Sequence, residues 1–173
     1  EMHAYDTTTW NEIYNTMGEE SVLATDMTYC AADNNVYGCF DNGYGTGYVF
    51  GRFDQDSFER TEISPLDEAW IACGADAGGN IFAVTTSGKL VTADKQTGAL
   101  SLIGETGLSS DHMTSGTIDT STGIFYVATC NDSGSALYSV SLSDGSAQHL
   151  YDMENAEELV GMYIGKEAIN SSA

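Results

Sequence analysis

The sequence predicts an all-β fold assembled from repeated four-stranded units, and both its composition and its periodicity support this. The 173-residue chain has 19 Gly and only 1 Pro and is rich in Thr, Ser, Val and Tyr, a composition that favours strands joined by tight turns. Hydrophobic residues make up 42% of the chain, which is enough for a packed core. A pattern of strands and turns then recurs along the chain and defines the architecture.

The first half of the repeat is an apolar strand, a polar turn with Asn or Gly, and a second strand that opens on apolar and aromatic residues. Its copies span 26–38, 71–83 and 115–127. The aromatic landmarks Tyr37, Phe82 and Tyr126 lie 45 and 44 residues apart. Such a constant spacing indicates one supersecondary unit used three times.

The second half of the repeat supplies two more short strands with a turn between them. These strands lie at 49–54, 89–94 and 136–141, and at 60–63, 99–103 and 147–151. Four strands repeating at this spacing are typical of a β-propeller blade, in which neighbouring blades cover each other's sheet faces. We therefore expect one propeller-type domain over 1–173, with whole blades at 22–63, 68–107 and 112–151.

The two ends of the chain predict partial blades, at 1–15 and 157–164. Residues 4–10 resemble the second half of a blade, with Asp6 in the place of Asp54, and 159–164 resemble a first strand. Propellers close with about four to eight blades. We expect the ring to be completed by blades of a longer parent chain, or by partial blades joining, within one copy or between two.

The turn at 94–98 and the third strand at 136–141 resemble quinoprotein-like and YVTN-type propeller repeats. They are most similar to repeats in secreted or surface proteins of gut Bacteroidota. The resemblance covers about 4–164 and implies a propeller fold and an extracellular or cell-surface location, without implying a ligand. Two positions depart from the repeat: Cys30 stands where the other blades have Asp76 and Asp119, and Ser141 replaces the turn aspartate. This variation argues against a catalytic ring built from one repeated residue.

The charge restricts the possible partners. With 26 acidic and 5 basic residues the net charge is −21, and the few scattered cations predict no binding to a nucleic-acid backbone. An anionic membrane surface is disfavoured for the same reason. We expect no membrane insertion, since no apolar run approaches about 18 residues, and no signal peptide is recognisable. The acidity suits solubility outside the cell, or else calcium or a basic partner.

The cysteines and histidines predict no catalytic centre. Cys30, Cys39, Cys73 and Cys130 form no C-x-x-C motif, so a zinc ribbon or thioredoxin-type site has no support. Their spacing selects none of the three possible disulfide pairings, and we expect free thiols. Nucleophilic catalysis needs a base beside a Ser or Cys, and the Ser-Asp-His run ending at His112 rarely gives triad geometry. We therefore predict no catalytic residue.

One acidic turn could hold calcium. Asp54, Asp56 and Glu59 form a D-x-D-x-x-E pattern, although it lacks the glycine and the ligand count of an EF-hand loop. The alternative is an ordinary acidic hairpin turn. We expect no other cofactor and no metal.

A ligand site is predicted on one face of the blades. In a propeller, the loops from strand two to strand three and the loops between blades share a face, and exposed aromatics among carboxylates and amides suit sugar or peptide binding. For Trp70, packing between blades is the alternative. The candidates are Tyr44, Trp70, Asp111, His112, Asn131 and Asp132.

These observations predict a non-enzymatic extracellular binding or scaffold domain whose ligand is a protein or a glycan. Two alternatives remain open at this point. One is a fragment of a propeller hydrolase or lyase with its site at the central channel, and the other is a module that self-assembles through open blade edges.

Overall fold

The computed structural model describes residues 3–6, 8–15, 23–43, 46–54, 57, 59–154 and 157–164. In these ranges, strands are the only extended regular structure, which confirms the predicted all-β class. Within the same ranges there is no helix long and apolar enough to cross a membrane. The strands are β1 (His3–Tyr5), β2 (Glu12–Asn15), β3 (Ala24–Cys30), β4 (Asn35–Asp41), β5 (Tyr48–Asp54), β6 (Arg60–Leu66), β7 (Trp70–Ala75), β8 (Ile81–Thr85), β9 (Lys89–Ala93), β10 (Leu100–Glu105), β11 (Gly116–Asp119), β12 (Ile124–Asn131), β13 (Gly134–Val140) and β14 (Ala147–Met153).

Three four-stranded antiparallel sheets follow one another along the chain, as the repeat predicts. Each is a simple meander, in the orders β3-β4-β5-β6, β7-β8-β9-β10 and β11-β12-β13-β14. We call them blades 1, 2 and 3. Their landmark residues Tyr37, Phe82 and Tyr126 all lie on the second strand of a blade, so the sequence alignment corresponds to structural equivalence.

The first strands of the three blades lie side by side, β7 between β3 and β11. Side chains bridge them to neighbouring backbone groups. The Ala75 N–H donates to Thr28 Oγ1 (3.2 Å), and Thr114 Oγ1 donates to the Ile71 carbonyl (2.9 Å). Each bond satisfies a backbone group that the sheet ladder leaves unpaired.

Asp26 joins all three blades at this centre. Its Oδ2 accepts hydrogen bonds from the Cys73 N–H (2.7 Å) and the Gly116 N–H (3.0 Å), and its Oδ1 accepts one from Ser115 Oγ (3.0 Å). The carboxylate is buried, and this burial raises its pKa to about 6 although the hydrogen bonds act in the opposite direction.

Small residues let the first strands approach closely. A Cβ atom on Gly116 would lie 2.7 Å from the Ala72 Cβ, and one on Gly74 would lie 2.7 Å from the Ile118 side chain. No side chain fits at these distances without moving its neighbour.

Two apolar clusters fill the spaces between blades. The first, between blades 1 and 2, includes Phe50, Trp70, Cys73 and Ile81. The second, between blades 2 and 3, includes Leu90, Phe125, Val127 and Val140. Each blade thus buries a sheet face against the next, and this burial is the main source of stability of a propeller.

The hairpin β1–β2 repeats the turn of blade 2. Asp6 Oδ1 accepts the N–H groups of Thr8 and Thr9, as Asp94 Oδ1 accepts those of Gln96 and Thr97. The Trp10 N–H donates to the Asp6 carbonyl, as the Gly98 N–H donates to the Asp94 carbonyl. Both fifth residues have positive φ, 58° for Trp10 and 71° for Gly98. This geometry is that of the partial blade expected at 1–15.

The other end differs from the expectation. Residues 157–164 contain no strand, so the strand predicted at 159–164 is not formed. A first strand of a blade pairs only with the second strand of the same blade, and an isolated extended segment gains no ladder hydrogen bonds.

Candidate functional site

Four of the six candidate ligand residues come together beside the loop that links blades 2 and 3. The Asp111 N–H donates to Asn131 Oδ1 (3.1 Å), and His112 Nε2 lies 3.5 Å from Asp132 Oδ1. Glu158 joins them from beyond blade 3, with its Oε1 3.4 Å from His112 Nδ1. We call these five residues, Asp111, His112, Asn131, Asp132 and Glu158, the His112 site.

Reciprocal hydrogen bonds fix the backbone of this loop. Ser110 Oγ accepts the Cys130 N–H (2.9 Å) and lies within hydrogen-bond distance of the Cys130 and His112 carbonyls. The Cys130 carbonyl also accepts the N–H groups of Asp111 and His112, while Asn131 Nδ2 donates to the Ser109 carbonyl (3.2 Å). A loop held this way loses little entropy when it binds a partner.

The side chains of the His112 site remain accessible. The His112 side chain is 42% exposed, that of Asp132 98% and that of Glu158 48%. Met113 beside them is exposed as well. The site therefore presents an imidazole between two carboxylates and an adjacent apolar side chain to solvent. In the described ranges, no three His, Cys, Asp or Glu residues are arranged to hold a metal.

The equivalent place in blade 2 has a different character. There the Glu68 carboxylate accepts hydrogen bonds from the Ser87 N–H (2.7 Å), Ser87 Oγ (2.9 Å) and Thr86 Oγ1 (3.0 Å). Burial opposes its ionisation, but these bonds prevail and lower the pKa of Glu68. Its acceptors are engaged within the protein, whereas Asp132 directs its carboxylate to solvent.

Two candidates lie elsewhere. Trp70 is only 1% exposed and packs between blades 1 and 2, with its ring 5.2 Å from that of Phe50. It offers no surface to a ligand, and the alternative interpretation, packing between blades, fits its position. Tyr44 lies outside the described residues.

The possible calcium turn closes as a hairpin. Asp54 Oδ1 accepts the Ser57 N–H (2.8 Å), and the Asp54 N–H donates to the Glu59 carbonyl (3.2 Å). Asp56 lies outside the described residues. The Asp54 carboxylate thus stabilises the turn, as the aspartates of the other hairpins do.

A second concave region, which the sequence did not indicate, lies between blades 1 and 2. Its volume is about 580 Å³. At its edge, Lys95 Nζ donates to Asp33 Oδ2 (2.7 Å), as does the Tyr37 hydroxyl (2.9 Å). Although burial opposes ionisation, these bonds lower the pKa of Asp33 to about 2. We call this region the interblade cleft.

The sequence has no match among protein-family models or curated proteins. Solved structures do resemble the fold. A chain of the nidogen/laminin complex is 15% identical, with a TM-score of 0.64 over 85% of this chain and 54% of that one. A structural-genomics protein of unknown function from Bacteroides thetaiotaomicron is 16% identical, with a TM-score of 0.57 over 71% and 32%.

A third similar structure is virginiamycin B lyase from Staphylococcus aureus, at 14% identity and a TM-score of 0.53 over 89% of this chain and 49% of that one. These structures are β-propeller-like, so the similarity confirms the propeller-type fold. The present chain spans about half or less of the length of each of them.

Proposed function

We propose that this chain is a non-enzymatic binding or scaffold domain, located outside the cell or on its surface, whose His112 site binds a protein or a glycan. The observation that carries the proposal is the rigid loop that presents His112 between the exposed carboxylates of Asp132 and Glu158. Rigid loops on a propeller scaffold are common sites of recognition. The acidity of the chain and its resemblance to secreted repeats support the location.

Charge favours a protein partner with a basic segment. The net charge of −21 steers cationic partners toward the molecule and suppresses anionic ones. Each exposed ion pair contributes little by itself, so several carboxylates around one apolar side chain, Met113, would act together.

The local geometry supports binding rather than hydrolysis. The hydroxyl nearest to His112 in sequence, that of Ser110, is held by the Cys130 backbone, and both nitrogens of His112 lie beside carboxylates. A nucleophile needs a base within hydrogen-bond reach, and the described residues of the His112 site do not provide this arrangement.

Blade 3 supports the further proposal that another blade covers it, from a longer parent chain or from a second copy. Its face away from blade 2 carries Ile124, 36% exposed, and Tyr151, 61% exposed. Within the chain, blade faces that meet a neighbour are buried. Light scattering on the purified chain would reveal a dimer if a second copy covers this face.

A peptide array with matched basic, neutral and acidic sequences tests the protein ligand, and a glycan array tests the other class. Asp132→Asn and Glu158→Gln should weaken binding of basic peptides, and added salt should weaken it further. Glu59→Gln, on the turn side of blade 1, serves as the control and should bind like the original. Absence of any peptide or glycan binding, or equal binding by all variants, would refute the proposed site.

A further inference from the structure

We propose that the interblade cleft is a separate binding site for a neutral glycan, recognised through pairs of adjacent hydroxyl groups. The cleft is lined by the turn between the first two strands of blade 1 and by the turn between the last two strands of blade 2. In a four-stranded meander these turns lie on the side opposite the His112 site. The two sites can therefore be occupied, and tested, independently.

Rigid strands form the wall of the cleft. Tyr37, Arg52 and Thr61 are neighbours in register across β4, β5 and β6, so they make a row on one face of blade 1. Lys95 and Gln96 close the cleft from blade 2. Its volume of about 580 Å³ is within the usual range of small-molecule sites.

The lining is polar and carries both signs of charge. Lys95 and Asp33 offset each other as an ion pair, and Arg52 adds one cation to a chain that is otherwise strongly acidic. A free anion would be repelled by the whole molecule, while a cation would meet the Arg52 guanidinium. A neutral ligand with many hydroxyl groups avoids both penalties.

The polar side chains in the cleft have the shape that adjacent hydroxyls require. Guanidinium, carboxylate and amide groups each present two polar atoms in one plane, and they can bind two neighbouring groups at once. Sugar hydroxyls donate and accept, so they match donors and acceptors placed side by side. Four of the lining side chains are of this planar kind: Asp33, Asn35, Arg52 and Gln96.

Asp33 is held in place before any ligand arrives. Lys95 and Tyr37 both donate to its carboxylate. The buried Tyr37 ring stacks on Phe50 with centroids 5.9 Å apart, and the partly exposed Ile63 gives the cleft an apolar side chain for the C–H face of a sugar. Preorganised polar groups around an apolar wall are characteristic of binding sites.

Asn35 adds a hydrogen-bonding group that the protein leaves unused. Its Nδ2 donates to the Asp33 carbonyl (2.9 Å), while its buried Oδ1 has no donor among the described residues. A buried acceptor without a donor is unfavourable, and a ligand hydroxyl is the kind of donor it lacks.

The repeat itself does not impose this polar cleft. In blade 2 the equivalent row is Phe82, Thr92 and Ser101, and Leu142 stands where the first interface has Lys95. Leu142 packs against the apolar cluster between blades 2 and 3. Arg52 and Lys95 therefore have uncharged counterparts at the second interface, Thr92 and Leu142.

Saturation-transfer NMR and calorimetry with maltotriose, cellotriose and mannotriose test the site, with digalacturonate and spermidine as charged probes. A neutral trisaccharide should bind, and Arg52→Lys, which keeps the charge but loses the planar fork, should weaken it about tenfold. Gln96→Ala should weaken it as well. Gln148→Ala, on the outer strand of blade 3, is the matched control and should leave the affinity unchanged.

Several outcomes would overturn the proposal. They are the absence of binding by all three trisaccharides, binding that Arg52→Lys and Gln96→Ala do not weaken, and binding of a charged probe alone. Chemical-shift or circular-dichroism spectra of each variant establish that it is folded. Because peptide binding is measured at the His112 site with other variants, failure of this site leaves the proposed function standing, and the reverse also holds.

Discussion

The two interfaces between blades are built differently, although the same repeat produces both. Blades 1 and 2 are joined by aromatic rings together with polar contacts, among them the Lys95–Asp33 ion pair and the Cys73–Asp26 hydrogen bond. Blades 2 and 3 are joined mainly by an apolar cluster around Phe125. The repeat thus specifies where a blade packs, while individual residues decide whether the contact is apolar or also contains polar groups.

We expect the greatest loss of stability from a substitution in the apolar interface between blades 2 and 3. Phe125→Ala removes a side chain with no exposed surface and should lower the free energy of unfolding by about 3–5 kcal/mol, equally at all pH values. Urea denaturation measures it. The control is Tyr126→Ala, on the same strand but on the opposite, half-buried face, which should cost clearly less. Equal losses would show that the second interface is not the apolar core described.

The second effect breaks the junction of all three blades. Asp26→Ala leaves the Cys73 and Gly116 N–H groups buried without an acceptor and should lower the free energy of unfolding by about 2–4 kcal/mol. In Asp26→Asn the amide oxygen can still accept both N–H groups, while Nδ2 donates to Ser115 Oγ. We expect the Asn variant to retain most of the stability, and equal loss in both variants would contradict this geometry.

The same carboxyl gives the centre a pH dependence that a purely apolar centre would lack. Its pKa is raised from 3.8 to about 6, so between these values the folded state binds a proton that the unfolded state does not. The contribution of Asp26 to stability therefore falls as the pH rises from about 4 to 6. Denaturant midpoints of the original chain and of Asp26→Asn should be measured across that window. The midpoint of the original chain, relative to that of the variant, should fall as the pH rises. A difference between the two midpoints that does not change with pH would show that burial does not raise the pKa of Asp26.

The smallest effect is the difference between alanine substitutions at two turn glycines, Gly98 and Gly123. It separates the cost of a close contact with blade 1 from the cost of the turn geometry alone. Gly98 and Gly123 both have positive φ, 71° and 75°, so Ala at either should cost about 1 kcal/mol. Only at Gly98 would the added Cβ collide with Ser64 of blade 1. Gly98→Ala should therefore have the lower melting temperature of the two. Equal melting temperatures would show that blade 1 does not press on this turn.

The sequence predicts the blades well because their signals are local. The aromatic landmarks, turn aspartates and glycines that define each blade are within a few residues of the groups they contact, as in the bond from the Thr97 N–H to Asp94. Asp26 gave no such signal, since its partners Cys73 and Gly116 are 47 and 90 positions away.

The candidate site could likewise be predicted only in part. The order of strands brings two particular loops together, so the sequence could group the four residues Asp111, His112, Asn131 and Asp132. Glu158 was missed because its segment has no ladder hydrogen bonds, so the sequence does not show which of its side chains reaches His112. Trp70 was assigned to the ligand face by its position in a loop-to-strand junction, but the size of its ring makes it the natural filler between two blades.

The positions of the four thiols provide a way to observe how the blades separate. Cys30, Cys39 and Cys73 are sealed in the first interface, and Cys130 lies in blade 3. Burial raises the pKa of Cys39 and of Cys73, so neither is a ready nucleophile while the blades stay closed. The rate at which a thiol reagent labels each cysteine then reports a transient opening event. Mass spectrometry of labelled peptides would show whether the first interface opens more often than the surroundings of Cys130. The labelling rates would therefore measure how frequently each part of the structure opens.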